Sequence, residues 1–156
     1  MDEQYKLLLI DDEAQFRFMT KMGLEANGFI VLEASDGNEG LEILGKEKPD
    51  LVLLDLNMPD PDGHKVCDTI KNDDSFRHIP VIILTTSEDL NDKLRRLEGG
   101  ADDYITKTTD SKERAARIRA TIRRNLQNLW QCDYKFRSLI LFTSNFYLTP
   151  MGFYYL

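Results

Sequence analysis

The sequence has few cysteines and no long apolar run, and both shortages narrow what the protein can be. Among its 156 residues only Cys67 and Cys132 are cysteines, and two thiols without metal-ligand spacing predict reduced side chains in a reducing compartment. No apolar stretch approaches the roughly 20 residues that a membrane helix needs. The apolar run at residues 6–10 is cut short by two aspartates, which disfavours a signal peptide. We therefore expect a cytoplasmic protein with no membrane contact.

Positive charge is also in short supply, with a formal net charge of -7. This balance disfavours non-specific binding of nucleic acid by the folded part. The deficit lies in residues 1–124, which carry 18 Lys and Arg against 26 Asp and Glu, whereas residues 125–156 carry 2 against 1. We expect one domain over residues 1–124 and a C-terminal extension over 125–156 that is a linker, a tail or the start of an output region.

Short apolar runs alternate with helix-like segments along the first domain. Strands are predicted over residues 6–10, 29–35, 50–56, 81–86 and 102–107. Helices are predicted over residues 13–28, around 40–44, and over 63–72, 89–100 and 111–129. Strands that are apolar on both faces and alternate with helices predict a parallel sheet covered on both sides. Right-handed crossovers then give a doubly wound, five-stranded α/β fold that binds ligands at the carboxyl ends of its strands.

Charged and polar residues lie at the ends of four of these predicted strands: Asp11 and Asp12, Asp55, Thr85, and Lys107. The carboxyl ends of parallel strands meet at one edge, so three carboxylates should lie together and repel one another. Mg²⁺ prefers oxygen ligands and would relieve that repulsion. Metal and lysine together could also neutralise the oxygens of a phosphoryl group. Since an aspartate can accept a phosphoryl group, Asp55 is the candidate nucleophile.

Each of these residues has an ordinary explanation when it is taken alone. An aspartate after a strand usually forms a turn or caps a helix, a threonine there is more often a strand residue, and a single lysine is more often solvated. Their joint occurrence at four strand ends on one edge favours a functional site.

The motifs around these residues resemble the receiver domain of two-component response regulators, over residues 5 to about 124. The matching motifs are LLLIDD, DLNMPDPDG, PVIILTT and GADDYITK. The resemblance implies the flavodoxin-like receiver fold, with Asp55 accepting a phosphoryl group from the phosphohistidine of a sensor histidine kinase or a histidine phosphotransfer protein. It also implies a conformational signalling switch, not a turnover enzyme.

The same resemblance implies roles for individual residues at the site. Asp12 and Asp55 would ligate Mg²⁺ directly, together with the backbone carbonyl of Asn57. Asp11 would act mainly through water. Lys107 would pair with the phosphoryl oxygens.

Two further residues are implied to carry the switch. The hydroxyl of Thr85 would move to bind the new phosphoryl group, and Tyr104 would turn inward into the space that is vacated. The surface formed by the helix predicted over 89–100, the fifth strand and the last helix would then be read by a partner.

One residue departs from the family's pattern. The family usually follows its lysine with a proline in a cis peptide bond, whereas Thr108 follows Lys107 here. A non-proline cis bond costs about 2.5–4 kcal/mol, so we expect a trans bond and a slightly altered loop. This departure keeps a second function open, a phosphorylation-independent interaction module on the same fold.

A phosphatase would need a second aspartate just after Asp55, and residues 56–57 supply none.

The last helix and the tail complete the predictions. Six basic residues and one acidic residue lie within 111–124, and we expect a solvated face there, with a partner contact as the alternative. An apolar stripe accompanies them: Ala115, Ile118, Ile122, Leu126 and Leu129. Beyond it, residues 137–148 have strand character.

Nine of the chain's fifteen aromatic residues lie in residues 125–156. The segment either packs back on the receiver domain or on a second copy in a homodimer, opens a larger output domain, or forms a poorly ordered end. NFYLTPMGFYYL resembles the entry into a winged-helix DNA-binding domain, but a nucleic-acid partner would require an output domain beyond these few residues.

Overall fold

The computed structural model describes residues 4–86 and 100–144, and the side chains of residues 132–144 are not described. The strands are β1 (Lys6–Ile10), β2 (Ile30–Ala34), β3 (Leu51–Asp55), β4 (Val81–Thr85) and β5 (Asp103–Thr106). The helices are α1 (Ala14–Glu25), α2 (Gly37–Glu47), α3 (Gly63–Asn72) and a C-terminal helix (Ser111–Ser144). The strands form one parallel sheet in the order β2-β1-β3-β4-β5. The predicted doubly wound fold is confirmed.

Apolar side chains cover both faces of the sheet, as continuous apolar strands predict. On one face Leu8, Ile10, Val52 and Leu54 pack with Leu44 of α2 and Ile70 of α3. On the other face Leu7, Leu9, Leu51 and Leu53 pack with Leu24 of α1 and Ile118 of the C-terminal helix. Alternate residues of each strand thus serve different layers, and β3 is buried along its whole length. The carboxyl ends of β1 and β3 therefore emerge from a fixed core.

The C-terminal helix is longer than the sequence predicts. The helix expected over 111–129 continues to Ser144, so the strand predicted over 137–148 is wrong for residues 137–144. No glycine or proline interrupts residues 111–144, and aromatic or β-branched residues disfavour a helix by less than about 1 kcal/mol each. Residues 145–148 and most of the helix predicted over 89–100 lie outside the described residues.

Internal contacts divide the chain into Met1–Arg123 and Arg124–Leu156. Within the first unit, Ala115, Ile118 and Ile122 of the predicted apolar stripe are buried. The functional division into a domain over residues 1–124 and an extension over 125–156 stays a prediction. Among the described residues, no helix is long and apolar enough to cross a membrane.

Candidate functional site

Strand register brings the predicted site residues to one edge of the sheet. Ile10 of β1 pairs with Leu54 of β3, so Asp11 and Asp55 are the next residues on two neighbouring strands. Farther along the edge, Thr85 of β4 pairs with Thr106 of β5, and the next residue, Lys107, donates its backbone N–H to the Thr85 carbonyl at 2.7 Å. The chain order reverses between β1 and β3, which is where open α/β sheets bind ligands.

The turn after β3 depends on Gly63, eight residues beyond Asp55. A Cβ atom at this position would lie 2.2 Å from the carbonyl oxygen of Asp55 and 2.5 Å from Cα of Leu56. Both neighbours are backbone atoms that cannot rotate away, so the start of α3 can approach the end of β3 only without a side chain. Asp62 caps α3 by accepting the backbone N–H of Lys65 at 2.9 Å. The glycine thus sets the backbone around Asp55.

Three carboxylates meet at this edge. One ligand oxygen each from Asp11, Asp12 and Asp55 can be chosen so that all lie within 4.8 Å of one another. Asp11 and Asp55 are buried, whereas Asp12 is exposed. Asp11 Oδ1 accepts the Glu13 backbone N–H at 2.9 Å, and Asp55 Oδ1 accepts that of Asn57 at 3.1 Å.

This set of oxygen donors fits a hard divalent cation. Asp11 Oδ2 is buried and forms an ion pair with Lys107 Nζ at 2.7 Å. A carboxylate oxygen has more than one lone pair, so it can accept a further ligand. Burial raises the pKa of Asp11 and outweighs its contacts with Lys107 and the Glu13 backbone, and the charge of Asp55 raises it further. A cation beside these oxygens would favour the ionised carboxylates.

Lys107 supplies the positive charge of the site. Its Nζ lies 2.7 Å from Asp11 Oδ2, 3.3 Å from Asp55 Oδ2 and 3.7 Å from Glu13 Oε2. Burial lowers the pKa of Lys107, but the contacts with Asp11 and Asp55 outweigh it, and the pKa is raised overall. The side chain is therefore an ammonium at neutral pH.

The loop after Lys107 follows the expectation drawn from Thr108. Within residues 4–86 and 100–144, the one cis peptide bond joins Asp60 and Pro61, so the bond between Lys107 and Thr108 is trans. The lysine nevertheless reaches both buried carboxylates. Absence of the usual proline thus does not remove the ammonium from the site.

The two predicted switch residues lie on neighbouring strands beside this cluster. Thr85 is buried at the end of β4, and Tyr104 of β5 is partly buried against the core layer that contains Ile83. The movements assigned to them stay predictions. Residues 87–99, which would form part of the readout surface, lie outside the described residues.

Sequence reasoning missed two residues that contact the lysine loop. Phe16 lies in the helix predicted over 13–28 and was given no role at the site, yet its ring lies 4.6 Å from Lys107 Nζ. Arg114 was placed on a solvated basic face, but it is only 5% exposed. Its position four residues before Ile118 was a usable signal, because residues four apart share one face of a helix.

Comparison with known proteins places these features in a family. The family model described as the response regulator receiver domain matches residues 7–119. A "probable transcriptional regulator ycf27" of Guillardia theta is 43% identical over 124 residues, which are 80% of this chain and 48% of that protein. The phosphate regulon transcriptional regulatory protein PhoB of Escherichia coli is 42% identical over 119 residues, 76% of this chain and 52% of that protein. The chain thus spans about half the length of the curated relatives it matches.

A solved structure agrees with the sequence match. A response regulator receiver domain protein from Clostridium thermocellum superposes with a TM-score of 0.72 at 33% identity, covering 79% of this chain and 98% of that one. Family model, relatives and structure agree on the family and on the fold described above. The chain belongs to the receiver domain family of two-component response regulators.

Proposed function

We propose that this chain is a phosphorylation-dependent signalling switch in which Asp55 accepts a phosphoryl group. The observation that carries the proposal is the position of Asp55. It is buried at the end of an apolar strand, 3.3 Å from the ammonium of Lys107 and within a group of three carboxylates. A buried charge is costly unless it is paired, and the pairing here leaves a net negative site suited to a cation.

The donor would be a phosphohistidine of a sensor histidine kinase or a histidine phosphotransfer protein. A carboxylate oxygen of Asp55 attacks phosphorus, the phosphorus–nitrogen bond breaks, and the imidazole nitrogen keeps the bonding electron pair. The product is an acyl phosphate on Asp55. Lys107 pairs with the phosphoryl oxygens, the Thr85 hydroxyl binds one of them, and Tyr104 turns inward, which alters the surface that a partner reads.

Asp11, Asp12, Asp55 and the backbone carbonyl of Asn57 would hold Mg²⁺. The three ionised carboxylates and the Lys107 ammonium leave a formal charge of -2, which one divalent cation neutralises. When bound, the metal supplies positive charge that offsets the oxygens of the incoming phosphoryl group.

The chain acts as phosphoacceptor and not as a turnover enzyme, because its nucleophile ends the reaction carrying the product. The second candidate is an interaction module that works without phosphorylation. The trans bond at Thr108 favours that candidate, while the contacts of Lys107 with Asp11 and Asp55 favour the switch. A nucleic-acid partner would need an output region in addition to the receiver domain.

Mg²⁺-dependent labelling by acetyl phosphate, read by intact mass, tests the switch. The wild-type chain should gain one phosphoryl group in Mg²⁺ and none in EDTA, and Asp55→Asn should gain none. Asp60→Asn is the matched control, since Asp60 lies on the same turn but is exposed and paired with Lys65, and it should label normally. Failure of the wild-type chain with both acetyl phosphate and a histidine kinase would favour the interaction module.

Self-association through the second unit stays a prediction. Leu126, Leu129 and Trp130 are 41%, 42% and 72% exposed, and their spacing places them on one side of the helix. Light scattering should report a dimer for the wild-type chain and a monomer for Trp130→Lys. Equal monomeric masses, with and without acetyl phosphate, would contradict a homodimer.

A further inference from the structure

Arg114 is a buried cation that the proposed phosphoryl transfer does not itself use. It lies in the C-terminal helix and is 5% exposed. Nη2 donates to the carbonyl oxygens of Lys107 at 3.1 Å and Thr109 at 2.9 Å. Nη1 lies 3.3 Å from Oγ1 of Thr20, a buried residue of α1. A buried guanidinium is retained where its donors find partners. Here Nη1 and Nη2 find partners while Nε has none, and two of the three partners belong to the loop that carries Lys107.

The loop that carries Lys107 follows β5, the outermost strand on one side of the sheet. β5 pairs with β4 on one side and ends at Thr106. The backbone of the loop is held by the Lys107 N–H on the Thr85 carbonyl at 2.7 Å and by the Thr109 N–H on the Thr106 carbonyl at 3.1 Å. The guanidinium adds bonds to the carbonyls on either side of Thr108, where the family's usual proline is missing, and connects them to α1.

Phe16 of α1 links the two cations. Lys107 Nζ lies 4.6 Å from the centre of its ring and Arg114 Cζ lies 5.5 Å from it. Cations over an aromatic ring are attracted by its negative face. The guanidinium of Arg114 and the ammonium of Lys107 thus both contact the Phe16 ring. The Lys107 backbone, held by Arg114, and the Lys107 side chain, in contact with Phe16, are therefore held from the same side of the loop.

We infer that Arg114 is a positioning residue for Lys107. Its Nη2 donates to the carbonyl of the trans Lys107–Thr108 bond and to the carbonyl of Thr109, while its Nη1 donates to Thr20 of α1. This bridge between the loop and α1 keeps the ammonium within reach of Asp55 in a loop that has no proline. The inference rests on the proposed function for its kinetic consequence. The geometric part concerns Lys107 alone and can be measured without any phosphodonor.

The test compares Arg114→Leu with Arg117→Leu in the full chain. Leucine fills part of the buried space but donates no hydrogen bond. Arg117 is the matched control because it lies three residues farther along the same helix, is 44% exposed and pairs with Glu113. The first readout is the ammonium signal of Lys107 in nitrogen-15 NMR, assigned by its absence in Lys107→Met. The second is the rate of Mg²⁺-dependent labelling by acetyl phosphate.

We expect Arg114→Leu to broaden or lose the Lys107 ammonium signal and to label about ten- to a hundredfold more slowly, because small misplacements of a reacting group are costly in rate. Arg117→Leu should keep both signal and rate. An unchanged signal and rate in a folded Arg114→Leu chain would overturn the inference and leave Arg114 a packing residue.

Arg114→Lys provides a second variant in case leucine prevents folding. Lysine keeps the charge but has one nitrogen in place of the two that join the loop carbonyls, through Nη2, to Thr20 of α1, through Nη1. It cannot make the whole bridge, so it should resemble Arg114→Leu. Full recovery of signal and rate by lysine would show that charge, not the bridge between the loop and α1, is needed, and would overturn the inference as stated. If the wild-type chain takes no phosphoryl group, the proposed function fails, and the ammonium signal still decides the role of Arg114.

Discussion

The negative and positive halves of the site come from different parts of the sheet. Asp11 follows β1 and Asp55 is the last residue of β3, and both strands have a neighbour on each side. Lys107 follows β5, an edge strand. Pairing on both sides and burial on both faces fix the carboxylates through the backbone. The loop of Lys107 has a backbone bond to Thr85 at the end of β4, and the ammonium depends further on side-chain contacts that link the loop to α1. The inner half of the site, Asp11 and Asp55, is therefore positioned by the backbone of the fold. The edge half, Lys107, is positioned largely by a few side chains that can be substituted.

Gly63→Ala should damage the inner half most. The added methyl group would collide with the backbone at Asp55 and Leu56, and overpacking of this kind costs about 2–3 kcal/mol. Urea denaturation should show that loss in the free energy of unfolding, and labelling of Asp55 should fall in the fraction that stays folded.

Gly45→Ala is the control for this substitution. Gly45 lies inside α2, and a Cβ atom there would meet nothing closer than Phe76 at 3.9 Å. Alanine should stabilise the helix by up to about 1 kcal/mol. Equal effects of the two alanines would contradict a special constraint at Gly63.

Asp11→Asn removes a negative charge from the inner half of the site and keeps the shape of the side chain. Burial raises the pKa of Asp11 above its ordinary value of 3.8, so the folded state binds this proton more tightly than the unfolded state. The resulting stability is present below the unfolded pKa and is lost as pH rises through the folded pKa. Without Mg²⁺ at neutral pH, Asp11→Asn should raise the free energy of unfolding by about 1 kcal/mol, as substitutions at strained functional sites often do. Lys107 keeps Asp55 as a partner at 3.3 Å.

Urea denaturation between pH 4 and pH 8 checks this expectation. The advantage of asparagine should grow with pH and shrink when Mg²⁺ is added, because a bound cation stabilises the wild-type chain more. A variant that is less stable than wild type in EDTA at neutral pH would show that the ion pair with Lys107 outweighs repulsion.

Phe16→Leu should have the smallest effect, and it acts on the edge half. Losing the aromatic face beside Lys107 and Arg114 should lower the free energy of unfolding by roughly 1 kcal/mol or less. Phe18→Leu is the control, since Phe18 is 60% exposed on the same helix and should change stability by less than about 0.5 kcal/mol. A larger effect at Phe18 would indicate that α1 packs differently from the arrangement described above.

The same division explains what could be predicted from the sequence. Apolar runs ending in charged residues predicted the sheet and placed Asp11, Asp55 and Lys107 on one edge, because the carboxyl ends of parallel strands meet at the same edge. Strand order and register were first shown by the structure. Arg114 was misjudged because its burial depends on a loop and a helix far apart in sequence. The strand predicted over 137–148 failed over 137–144 because β-like residues do not break a helix that lacks glycine and proline.

The side chains of the consecutive residues Asp11 and Asp12 have different surroundings. Asp12 is in contact with water, whereas Asp11 is wholly buried. A cation bound beside Asp12 would therefore be reached from solvent, while its electric field would act on the interior, where charges are screened less than in water. Binding of a cation at this edge of the sheet would thus change the electrostatic potential inside the protein, and no buried group would have to become exposed.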